Sequence, residues 1–84
     1  MKVFFEFEQT ENEIANKMLE LINRSNKYKL MWALRHLESE INEEGGQLII
    51  TSARGRSGIQ MNGFTEELKD QIKAVIDQFQ FDSL

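Results

Sequence analysis

The sequence predicts an α+β domain with the element order β-α-α-β-β-α, in which helices pack on one face of a three-stranded sheet. Three observations predict it. The opening "MKVFFEFE" alternates with period two, two separate regions place apolar residues at helical spacing, and glycines punctuate short β-branched runs between those regions.

Val3, Phe5 and Phe7 share one side of the first strand, while Lys2, Glu6 and Glu8 take the other with Phe4 among them. Thr10 followed by Glu13 has the spacing of a capping box, which predicts a helix over about Glu11 to Asn23. Ile14, Met18, Leu21 and Ile22 form its apolar stripe. In "NRSNKYK", Ser25 and Asn26 disfavour a helix interior and favour an N-cap, so a break is expected there. Leu30, Leu34, Leu37 and Ile41 then carry a second helix over about Lys27 to Glu44, which Gly45 and Gly46 terminate. "QLIIT" and "GIQMNG" read as a β-hairpin around the loop "TSARGRSG". A last helix opens at Thr65, carries Glu66 and Glu67 at its positive end, and presents Leu68, Ile72, Val75, Ile76 and Phe79 to the core.

With 84 residues, 40% of them hydrophobic and 29% charged, the chain is expected to fold as a single domain over residues 1–84. So small a domain leaves much of its surface exposed, which favours a homodimer or a partner that covers apolar area. Absence of cysteine excludes disulfides, thiolate nucleophiles and thiolate metal sites. No apolar run approaches the ~20 residues of a membrane span, and no signal-peptide pattern opens the chain. A cytoplasmic protein without membrane contact is expected. The net charge of −4 lacks the domain-wide basic excess of a non-specific nucleic-acid binder.

Catalytic and metal chemistry find little support. The single histidine, His36, has Glu40 one helical turn away, a pairing common on solvated helices. The acidic run "ESEINEE" lacks the loop pattern of a calcium site, and one histidine cannot build a zinc triad. "GRSG" is not followed by the lysine and hydroxyl residue of a P-loop. No enzyme activity, metal or cofactor is expected.

Positive charge is nevertheless concentrated. Residues 47–65 carry only Arg54 and Arg56, and residues 18–35 carry Arg24, Lys27, Lys29 and Arg35 against Glu20 alone. The element order resembles the type I arrangement of the KH module, which clamps single-stranded nucleic acid on a G-x-x-G loop. That resemblance covers the layout of nearly the whole chain and implies phosphate contacts from Arg24, Lys27, Lys29, Arg54 and Arg56, with Tyr28 stacking on a base. The KH loop joins the first two helices. Here that joint is glycine-free, and "GRSG" lies between the second and third strands. A nucleic-acid-binding domain of this kind is the alternative reading.

The primary expectation is a small regulatory or adaptor protein that binds a protein partner or itself. Trp32 lies about 200° around the helix from Leu30, off the core stripe, where tryptophan often anchors an interface. Phe4 offers a second apolar contact, and Arg54 and Arg56 offer charge-assisted bonds to an acidic partner.

Overall fold

The computed structural model describes residues 1–53 and 56–81. Strand β1 (Lys2–Phe7) leads into helix α1 (Glu13–Ala33), a 3-10 turn (Arg35–Leu37) and helix α2 (Glu38–Glu44). Strands β2 (Gln47–Ala53) and β3 (Arg56–Asn62) follow, then helix α3 (Glu66–Gln78). The order β-α-α-β-β-α is therefore the observed one.

The three strands form a mixed sheet in the order β1-β2-β3. β1 runs parallel to β2, with Val3 beside Leu48 and Phe5 beside Ile50. β3 returns antiparallel, placing Met61 beside Leu48 and Ile59 beside Ile50. Residues opposite one another share a face, so these six apolar side chains line one side of the sheet. Val3, Leu48 and Ile50 join a single core with Leu30 and Leu34 from the α1 region, Leu37, Ile41, Phe64, and Leu68, Ile72 and Ile76 of α3. Helices thus cover this one face. On the other side stand Lys2, Phe4 and Glu6 of β1 and Gln60 of β3, all exposed. Beyond α3, Phe81 packs edge-on against Phe5 and Phe79, with ring centroids 5.9 and 4.7 Å apart.

The first two helices depart from expectation in three ways. α1 does not break at "NRSNKYK" but runs on to Ala33. Helix propensity is a weak prior, worth a few tenths of a kcal/mol per residue, and packing overrides it. Asn26 is itself buried at 3% exposure, on the sheet-facing side with Leu30. The break falls instead at Leu34, where the backbone leaves helical geometry. There the Arg35 guanidinium donates to the carbonyl of Trp32 at 2.9 Å and so satisfies an acceptor that the helix end leaves over. His36 consequently sits in the 3-10 turn rather than mid-helix.

The N-cap is Asn12, not Thr10. Asn12 Oδ1 accepts from the amides of Ile14 and Ala15 at 3.0 and 3.2 Å. Thr10 instead exchanges bonds with Asn16, whose Oδ1 accepts from the Thr10 amide and whose Nδ2 donates to the Thr10 carbonyl, both at 2.8 Å. An oxygen two or three residues before the orphan amides reaches them more directly than Thr10 can.

α3 starts as expected. Thr65 Oγ1 accepts from the Leu68 amide at 3.3 Å. Glu44, at the end of α2, adds a contact that the sequence did not suggest. Its Oε1 accepts from the Thr65 amide at 2.6 Å, and its Oε2 accepts from the Thr65 hydroxyl at 3.2 Å. A carboxylate at a helix N-terminus satisfies orphan amides and complements the dipole. Thr65→Ala removes both hydroxyl bonds and is expected to cost about 1 kcal/mol, lowering the thermal midpoint by roughly 4–8 °C. An unchanged midpoint in a circular-dichroism melt would refute the role assigned to this cap.

Candidate functional site

Helix α1 has two apolar faces. At about 100° per residue, Leu19, Ile22, Asn26 and Leu30 cluster on one side, all buried or half-buried. This is the seam that meets the sheet. About 125° around the helix from it, Ile14, Met18, Leu21, Ser25, Tyr28 and Trp32 fall within about 40° of a common line. Five of these six are large apolar or aromatic residues, and they remain 75, 48, 57, 65 and 68% exposed for Ile14, Met18, Leu21, Tyr28 and Trp32. Ile14, Met18 and Leu21, expected in the core, therefore face solvent.

The correction follows from the continuity of α1. A helix that ended near Asn23 would have to bury its only apolar stripe. A helix that runs on to Ala33 is anchored by Leu30 and the following Leu34, which fix its rotation and turn Leu21 half a revolution away from the sheet. Trp32 lies at the end of the exposed line, its ring 4.3 Å from the Arg35 guanidinium carbon in a cation–π contact. That stacking, with the Arg35 bond to the Trp32 carbonyl, holds one side of the indole while leaving most of it open.

The residues expected to bind protein are not brought together. Trp32 stands about 125° around α1 from its sheet-facing seam, whereas Phe4, 43% exposed, projects from the sheet face that the helices leave open. Arg56 opens β3, and Arg54 lies outside the described residues. Sequence reasoning missed Ile14, Met18, Leu21 and Tyr28 as companions of Trp32. Their spacing of four, three, seven and four residues is the signal that reveals them once α1 is one helix.

A groove of about 380 Å³ runs beside the free edge of β1, lined by Phe4–Phe7 and by Glu20, Asn23, Arg24, Lys27 and Tyr28 of α1. Asn23 Nδ2 is buried along it without a hydrogen-bond partner. Two of the cations expected to contact nucleic acid, Arg24 and Lys27, stand here, but Glu6 and Glu20 balance them. Glu20 lies 3.8 Å from Arg24. Lys29 lies about 160° around the helix from Lys27, so the basic side chains of α1 do not converge on one backbone track. Neither does the actual helix joint, Leu34 to Leu37, contain glycine.

Among the described residues, no group of three or more His, Cys, Asp or Glu side chains is placed to hold a metal ion. No helix among them is long and apolar enough to cross a membrane. Comparison with protein-family models, with curated proteins and with solved structures gives no match.

Proposed function

We propose that this chain is a small, non-enzymatic, cytoplasmic protein-binding domain whose contact surface is the outer stripe of α1, with Trp32 as its anchor. The observation that carries the reading is the alignment of five large, solvent-exposed apolar side chains on one line of one helix, well apart from the line that builds the core. Single exposed apolar residues are ordinary. A contiguous row of them is not, because each leaves apolar area in water at roughly 25 cal/mol per Å². Tryptophan and tyrosine at the centre or end of such a row are the side chains that most often dominate binding energy. The nucleic-acid alternative draws less support, since the cations of α1 point in different directions and two carboxylates neutralise the groove.

A photo-crosslinking benzophenone amino acid in place of Leu21, compared with the same probe in place of the exposed Lys73 on α3, tests this in cells that express the chain. Discrete protein adducts are expected at position 21 and not at position 73, and Trp32→Ala should abolish them. Because Trp32 is 68% exposed, that substitution should change stability by no more than about 0.5 kcal/mol. Equal labelling at both positions would overturn the proposal. Adducts that nuclease removes would favour the nucleic-acid reading instead.

A further inference from the structure

We infer that the partner of the α1 stripe is a second copy of this chain, docked antiparallel along α1. The inference rests on the stripe being a binding surface and goes on to name what binds it. Three features of the helix point to its own copy.

The first is spacing. Counting Ser25, positions 14, 18, 21, 25, 28 and 32 alternate steps of four and three over the length of α1, 21 residues or about 30 Å. Positions 14, 21 and 28, and likewise 18, 25 and 32, recur every seven residues, the spacing that keeps one seam of a helix facing another helix as the two wind together. An irregular pocket on an unrelated globular partner makes no such demand on positions spread over five turns.

The second is charge. Within α1, residues 13–20 carry Glu13 and Glu20 against Lys17, a net −1, whereas residues 24–33 carry Arg24, Lys27 and Lys29 with no acid, a net +3. Two copies aligned in parallel set like halves side by side. Reversing one copy brings each acidic half against a basic half, within the ~10 Å over which charges interact at moderate salt. The complement that this helix requires is present on the helix itself.

The third is shape. An antiparallel pair centred between Leu21 and Ser25 seats Ile14 of one copy against Trp32 of the other, Met18 against Tyr28, and Leu21 against Ser25. Each layer then joins an aliphatic side chain to a ring, or a large side chain to the small serine where the two axes must approach most closely. Parallel pairing would set Trp32 on Trp32 and Ser25 on Ser25, overfilling one layer and emptying the other. Trp and Tyr bury roughly 150–250 Å² each when fully covered, and with about two-thirds of each still exposed here the four rings of such a dimer would supply roughly 400–650 Å² of the ~1,000 Å² a specific interface needs.

The full chain, examined by sedimentation equilibrium over a range of concentrations, is expected to reach twice its 9.8 kDa mass. Leu21→Glu/Tyr28→Glu should halve the mass at equal concentration while circular dichroism stays unchanged, because both positions are more than half exposed. The cysteine-free sequence then allows the direction to be read directly. Leu21→Cys mixed with Ser25→Cys should give a disulfide between the two variants on mild oxidation, and Ser25→Cys alone should not. A chain that stays monomeric at hundreds of micromolar overturns self-association. In that case heterologous adducts at position 21 would still uphold the binding surface, and their absence would remove both readings. A dimer that survives Leu21→Glu/Tyr28→Glu overturns the assignment to α1 and points to the free edge of β1. A disulfide formed by Ser25→Cys alone overturns the antiparallel order.

Discussion

Leu30→Ala is expected to destabilise the domain by about 2–5 kcal/mol, and Leu21→Ala by less than about 0.5 kcal/mol. The two substitutions delete the same atoms from the same helix. They differ in where those atoms stand: Leu30 is 0% exposed within the core cluster, and Leu21 is 57% exposed on the outer stripe. Truncating Leu30 removes its burial and leaves a cavity between α1 and the sheet that close-packed neighbours fill only in part. A chain of this length has a total stability of roughly 4–13 kcal/mol, so the Leu30 variant should lose a large fraction of it. Urea titrations read the difference as a fall in midpoint with unchanged slope. They must be run below the concentration at which the mass rises, because any self-association adds stability through binding. Equal losses at the two positions, or a larger loss at Leu21, would mean that α1 is rotated about its axis and that the outer stripe is core.

That pair of leucines also shows where the sequence was legible. Alternation in "MKVFFEFE" placed Val3 and Phe5 inward and Phe4 outward, because a strand repeats every two residues and a one-residue slip exposes the whole set. Gly45 terminates α2 in the left-handed conformation (φ 72°) as the "GG" pair suggested, and Leu68, Ile72 and Ile76 line the buried face of α3. These signals are local. α1 was harder because it carries two apolar lines, and periodicity alone does not say which one meets the sheet. The low helix propensity of Ser25 and Asn26 suggested a break that would have put Ile14 and Trp32 on different helices. Tertiary contacts decided the matter: Asn26 is buried on the core side, and Leu30 and Leu34 lock the rotation. Parallel pairing of β1 with β2 was not legible either, since strand order depends on how the intervening helices cross the sheet. The hairpin arginines remain outside the described side chains, and the stripe could be seen only once α1 was known to be continuous.

Gly46→Ala should also be severely destabilising, for a reason unlike that at Leu30. Gly46 joins α2 to β2 and is buried. A Cβ added there would lie 2.5 Å from the carbonyl oxygen of Asn62 and 2.5 Å from a ring carbon of Phe64. The first obstacle is backbone and belongs to the end of β3. The second is a core side chain held at 8% exposure. Neither can retreat alone, because Gln47 pairs with Asn62 in the sheet and Thr65, next to Phe64, is tied to Glu44 at the end of α2. Overpacking of a close-packed junction typically costs about 1–3 kcal/mol, and a fixed carbonyl places this site at the upper end of that range. Gly45→Ala is the control that separates crowding from backbone strain. Its added Cβ would meet nothing within 4 Å, but its φ of 72° is unfavourable for any L side chain, at a cost of roughly 1–2 kcal/mol. Asparagine, which tolerates this conformation, should recover part of the loss at Gly45 and none at Gly46. Urea midpoints for Gly46→Ala, Gly45→Ala and the two asparagine variants test the distinction. A Gly46→Ala midpoint equal to that of the parent would mean that α2 and β3 do not meet as closely as the structure places them, and rescue by asparagine at both positions would make strain, not contact, the common cause.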